Sequence, residues 1–191
     1  MGTGCGLNNN ICSGTFKFEL HSGKTKKDID ADFLQKLLRN KNNSFTRGHN
    51  PKEDVNIDGN IISIEFAFNL ENDEDPNGQD GLYVGIDGVY PAINPFNEII
   101  SSIIDFGDIP LVKYGVENGG KKLGAQFSGY IGHIEAEGNS KPPLIRENTV
   151  LSRSFYPSLF VQQRDASGNW DIGGWDTSNV TDMREMFREA F

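Results

Sequence analysis

The residues best placed to do chemistry lie in DVNIDGNIISIE, 54–65. They match the calcium-loop pattern D-x-[DN]-x-[DN]-G-x5-E. Asp54, Asn56, Asp58, Asn60 and Glu65 form the candidate ligand set, with Gly59 at the sharp turn. Calcium takes several hard oxygens on a bent loop, so the residue types suit it. An EF-hand also needs a helix on each side. Upstream, Gly48, Asn50 and Pro51 oppose one, and downstream the alternation is that of a strand. The competing reading is a hairpin that turns at Asp58-Gly59. A second acidic loop, DEDPNGQDG at 73–81, repeats the spacing with Asp73, Asp75 and Asn77 but has Val84 where Glu belongs. His133, Glu135 and Glu137 alternate along HIEAE, and such a row is more often a polar outer face than a metal site.

Enzyme signatures are few. SGKT at 22–25 has Phe18 where a phosphate loop has its first glycine. GTGCG follows no strand and opens no helix. G-x-S-x-G and H-E-x-x-H do not occur. Acids are plentiful, but nothing singles out a pair for glycoside hydrolysis. The expectation is a protein without catalysis, with calcium as the one cofactor the sequence raises.

Charge is uneven. The net charge is −9, yet residues 17–52 hold nine Lys/Arg against four acids, and 53–112 hold thirteen acids with no Lys or Arg. A nucleic-acid binder needs a broader basic face, so nucleic acid is not an expected partner. No run approaches the ~18 apolar residues of a membrane span. The N-terminal stretch has neither the basic start nor the apolar run of an export signal. Cys5 and Cys12 have no histidine nearby for zinc and would bridge in an oxidising compartment.

The elements that must position these residues read as mainly β. A helix is expected near 28–41, with Ile29, Phe33, Leu34, Leu37 and Leu38 on one face. Asp28 and Asp30 suit its start, Arg39 and Lys41 its end. In IISIEFAFNL, Ile62, Ile64, Phe66, Phe68 and Leu70 share one side of a strand. Further strand candidates are Leu82–Ile86, Pro110–Val116, Gln126–Ala136 and Ser158–Gln163, separated by Asp-Gly, Asn-Gly and Gly-Gly turns. A second helix is expected over 95–105, opened by Pro95. The pattern favours an antiparallel β-sandwich or jelly-roll. The expected organisation is a flexible or docking arm at 1–16, a β-rich anchoring domain at 17–165, and a separate unit at 166–191.

That last unit has its own chemistry. Met183, Met186, Phe187 and Ala190 are spaced as one stripe of a short helix, which Asp182 would cap with Glu185 completing a capping box. Ile172, Trp175 and Val180 add a second apolar set. One such unit cannot bury both sets alone, and stacked solenoid units can. NWDIGGWDTSNVTDMREMFREA, 169–190, resembles one repeat of the BspA-like leucine-rich-repeat surface-protein family, N-x-D-I-S-x-W-D-T-S-x-V-T-D-M-x-x-M-F-x-x-A. It departs at Gly173, where the family has Ser, and the resemblance spans only this segment. The resemblance implies a displayed, adhesive repeat array whose core residues are Ile172, Trp175, Val180, Met183, Met186 and Phe187, and a polypeptide that continues into further repeats.

A surface protein without an export signal fits assembly into a particle. The expected function is therefore a non-enzymatic structural protein on a virion surface. Residues 1–165 would dock on capsid or tail subunits, and the repeats would reach a host ligand. The alternative expectation is a cell-surface β-sandwich module that binds carbohydrate or protein, with calcium as a candidate cofactor. The expected location is accordingly a virion surface, a cell surface or the extracellular space.

Overall fold

The computed structural model describes residues 11–39, 55–69, 80–86, 93–134, 140–157, 172 and 174–190. The chain is mainly β, with mixed and antiparallel sheets. A five-stranded sheet has the spatial order β3 (Val55–Asp58), β4 (Ile61–Asn69), β1 (Ile11–Leu20), β6 (Ile100–Asp105), β9 (His133–Ile134). Its strands form because apolar residues alternate: Phe16, Phe18 and Leu20 on β1, and Ile62, Ile64, Phe66 and Phe68 on β4, all turn to one buried face. Neighbouring β1 and β4 run antiparallel with Phe16 opposite Ile64 and Phe18 opposite Ile62, so the two apolar rows meet directly. Leu70 and the Ser158–Gln163 strand candidate lie outside the described residues.

The first helix is shorter than its apolar pattern. Thr25 and Asp28 form a capping box on a 3-10 turn, Lys26–Asp28. A second start follows: Asp30 accepts a hydrogen bond from the Phe33 amide and opens α1, Ala31–Leu37. Phe33, Leu34 and Leu37 are buried as the pattern requires. The expected continuation to residue 41 fails because β2, Leu38–Arg39, pairs with β5, Gly81–Leu82. The Leu37 carbonyl then accepts from the Tyr83 amide. Arg39, expected to favour a helix end, instead donates to the Gly115 carbonyl at 2.9 Å and lies over the Tyr83 ring.

Three more expectations are corrected. Residues 95–105 are a 3-10 turn, Pro95–Glu98, followed by β6; Asn94 caps the turn and also donates to the Val84 and Ser128 carbonyls. Leu82–Ile86, Pro110–Val116 and the described part of Gln126–Ala136, 126–134, are mostly buried turns and single bridges, with strand pieces at Gly81–Leu82, at His133–Ile134 and where Val116 opens a short hairpin. Parallel pairings, which an antiparallel jelly-roll lacks, join β6 to β9 and β10 (Thr149–Val150) to β11 (Val180–Asp182). A short hairpin, β7 (Val116–Asn118) with β8 (Lys121–Leu123), turns through Gly119 and Gly120, both at positive φ.

A chain of aromatic contacts crosses the core. Phe96 meets Phe33, Phe33 meets Phe18, Phe18 meets Phe16, and Phe16 meets Phe106, at centroid distances of 5.6, 6.2, 5.6 and 6.2 Å. Phe106 then meets Trp175 edge-on at 5.5 Å. The hydrophobic cluster that begins at Cys12 includes Met186, with Ile172, Trp175 and Val180 packed against it. The C-terminal segment therefore shares this core. Cys12 is buried and disulfide-bonded; the sequence's other cysteine, Cys5, lies outside the described residues. No helix among the described residues is long and apolar enough to cross a membrane.

Candidate functional site

The described part of the acidic stretch, 55–65, is a hairpin. Asp58 stands opposite Ile61, and Asn56 opposite Ser63, with Gly59 at positive φ in the turn. Glu65 lies four residues beyond Ile61, where it faces Thr15 of β1. At a strand rise of about 3.3 Å, that separates Glu65 from the turn by about 13 Å. One calcium ion holds its oxygens at about 2.4 Å, so this hairpin does not gather Asp58 and Glu65 around one ion. The Asn60 side chain donates to Glu19 at 2.6 Å. Asp54, Glu135, Glu137 and the loop at 73–79 lie outside the described residues. Among the described residues, no three His, Cys, Asp or Glu side chains cluster as a metal site would require.

The organised feature is elsewhere. Three turns lie one upon another, at 123–130, 151–157 and 183–190. They carry LGAQF, LSRSF and MREMF, each an apolar residue four before a phenylalanine. Gln126 and Ser154 are matched at a separation of 28 residues, Arg153 and Glu185 at 32. The backbone repeats with the side chains. Ala125, Arg153 and Glu185 each adopt positive φ, at 53, 57 and 57°, in the left-handed region. Amides of Ala125, Phe127 and Gly129 donate to carbonyls of Ser152, Ser154 and Tyr156. Amides of Leu151, Arg153 and Phe155 donate to Asp182, Arg184 and Met186 in the same offset. Every donor thus reaches the residue just before its counterpart in the next turn.

Phenylalanines line this stack. Phe127 lies on Phe155 at 5.3 Å and 6°, and Phe155 on Phe187 at 5.4 Å and 7°. Trp175 braces the row from the side, 5.7 Å from Phe127 and 6.0 Å from Phe155. Inside, Gln126 ties adjacent turns: its amide donates to Val112 and Val150 carbonyls at 3.0 and 2.9 Å, and its oxygen accepts from the Ser154 hydroxyl at 2.5 Å. A buried amide with all three bonds made fixes register, because a slip would strand each of them.

The expected helix over 183–190 is absent. Met186 donates to Met183, Arg188 to Glu185 and Ala190 to Phe187, each a tight three-residue step. A helix would engage the Asp182, Arg184 and Met186 carbonyls within itself, and these accept from the neighbouring turn instead. The capping box fails with it. Asp182 accepts from its own neighbour Arg184, through backbone and side chain, and Glu185 pairs with Arg153 at 2.6 Å and Arg188 at 3.1 Å. Of the expected repeat-core residues, Met186 is buried and Ile172, Trp175 and Val180 are half-buried, whereas Met183 and Phe187 are each 44% exposed.

No family model, curated protein or solved structure matches the chain. The reading of the site therefore stands on its geometry.

Two predictions follow from contacts between turns. A Cβ at Gly124 would run into the Val150 carbonyl of the next turn. Gly124→Ala should lower the unfolding free energy by about 1–3 kcal/mol in urea titration, as overpacking does. The Arg153 hydrogen bond, with the Arg153 and Arg188 charges, holds the Glu185 carboxyl below its ordinary value. A depressed native pKa contributes stability above the unfolded value of about 4.3, and that contribution is lost as pH falls through the native one. Glu185→Gln should thus flatten the acid limb of a stability–pH profile below about pH 4 and leave its slope near neutrality unchanged.

Proposed function

We propose that the chain is a non-enzymatic display protein, in which a β-rich base carries leucine-rich-repeat coils that contact another surface. One observation carries this reading: the segment with the WDTSNVTDM pattern stacks, in step, on two turns that lack that pattern. The phenylalanine row and Trp175 make base and repeat a single packed body, which suits a rigid support more than a tethered appendage. In such an array, side chains between the fixed rungs are free to vary, and that is where ligand contacts belong. The base would seat on the subunits of a larger assembly, with a virion as the assembly and a host surface molecule as the distal ligand. Mass spectrometry of purified particles tests the placement: the chain should be recovered in constant proportion to the major subunit. Its absence from particles would remove the virion setting. Loss of host-surface binding by the whole particle on deletion of the gene, with assembly intact, would support the display role, and unchanged binding would oppose it.

A further inference from the structure

We infer that Asn118, at the head of the β7–β8 hairpin, is a site of spontaneous covalent modification, where the carboxamide is lost through a cyclic imide to leave aspartate and isoaspartate. The reaction needs the backbone nitrogen of the next residue to reach the carboxamide carbon. Gly119 supplies that nitrogen without a side chain to screen it, and even a methyl group placed there would meet nothing within 4 Å. Asn118, Gly119, Gly120 and Lys121 are all exposed. Other described asparagines have their carboxamides engaged: Asn60 donates to Glu19, Asn94 to the Val84 and Ser128 carbonyls, Asn97 to the Gly129 carbonyl and Asn179 to the Ile145 carbonyl. Each of these is followed by a residue whose side chain crowds the nitrogen or, at Pro95, removes its proton. Among the described residues, Asn118 is the asparagine that glycine follows.

Pairing opposes the reaction. Asn118 lies opposite Lys121, Glu117 opposite Lys122 and Val116 opposite Leu123, and this ladder holds the Asn118 backbone extended, whereas ring closure needs it to rotate. Of these six residues only Val116 and Leu123 are half-buried, so the hairpin opens at little cost and the ring closes from its frayed form. The Gly119 nitrogen gives up its proton and attacks Asn118 Cγ; the new C–N bond forms, the Cγ–Nδ2 bond breaks and ammonia leaves. Water then opens the ring. Attack at Cγ leaves an ordinary aspartate at 118, and attack at the main-chain carbonyl carbon leaves isoaspartate, with the chain running through Cγ. Both products set a carboxylate opposite Lys121. Isoaspartate also lengthens the β7 backbone by one atom, out of register with β8. That disturbs the pair at Val116 and Leu123 beside Gly115, whose amide donates to the Leu123 and Gly124 carbonyls where the first stacked turn begins.

The test incubates the full chain at mildly alkaline pH, folded and in urea, and reads tryptic peptide 114–121, which holds no other asparagine. An unincubated sample digested alongside accounts for conversion during handling. The predicted result is a peptide one dalton heavier, eluting as separate aspartate and isoaspartate forms. Conversion in the folded chain should run within about tenfold of the rate in urea, and about tenfold or more ahead of folded Asn60, Asn97 and Asn179. In the fraction bearing isoaspartate, hydrogen exchange at the Gly115 amide should be faster than in the unconverted chain. Gly119→Ala, read in urea where hairpin geometry plays no part, should slow conversion by screening the nitrogen. An Asn118 that stays intact in the folded chain while converting in urea would show that the hairpin locks the residue, and overturns the proposal. Conversion to aspartate without isoaspartate would mean direct hydrolysis and overturns the cyclic route. Neither arm involves an external ligand, so failure of the display role would leave this result intact.

Discussion

Phe155→Ala is expected to destabilise the protein by about 4 kcal/mol, the largest effect of any single substitution considered, measured as the shift in a urea unfolding curve. Phe155 is 1% exposed and sits between Phe127 and Phe187, with Trp175 against its side. Truncation removes the transfer free energy of the ring and leaves a cavity between turns whose spacing is held by backbone hydrogen bonds. Collapse into that cavity would break the ladder, so the site relaxes little and the cavity term adds to the transfer term. The same substitution should loosen both flanking turns together. Loss confined to one side would show that the row is not continuous.

Gln126→Leu should cost about 3 kcal/mol despite similar size and greater hydrophobicity. The leucine fills the space but abandons the Val112 and Val150 carbonyls and the Ser154 hydroxyl in a buried environment. Each stranded group loses about 1 kcal/mol or more. Ser154→Ala in the same background should recover part of the loss, because it removes one of the orphaned partners. A neutral Gln126→Leu would mean that water reaches these groups and that the amide does not fix the register.

Much of the base was legible. Alternation in IISIEFAFNL marks β4, and the face of Phe33, Leu34 and Leu37 marks α1, because each buries one side against the same core and local periodicity reports that directly. The ends of elements were not legible. Leu38 and Arg39 continue a helical pattern and yet pair with Gly81 and Leu82, a partner more than forty residues away that local periodicity does not report. The same reason explains the last segment. Met183, Met186, Phe187 and Ala190 have helical spacing, but their backbone carbonyls serve the turn at 151–157. The repeat-like pattern of this segment raises the expectation of a stacking unit, whereas the turns at 123–130 and 151–157 show no such pattern, because Gln126 and Ser154 break its apolar run. A signal was present: Leu123 and Phe127, Leu151 and Phe155, Met183 and Phe187 share one spacing. At the calcium pattern the alternating apolar residues pair as β3 and β4, and this pairing sets Asp58 and Glu65 apart along the sheet.

The central claim is that the C-terminal segment is a continuation of the stack and not an attached appendage. A double-mutant cycle on Phe155→Leu and Phe187→Leu, read by urea unfolding, tests it most directly. Stacked rings in one cooperative body predict a coupling of about 0.5–1.5 kcal/mol and a single transition for all four proteins. Additive effects, or a separate early transition lost with Phe187 alone, would contradict the account.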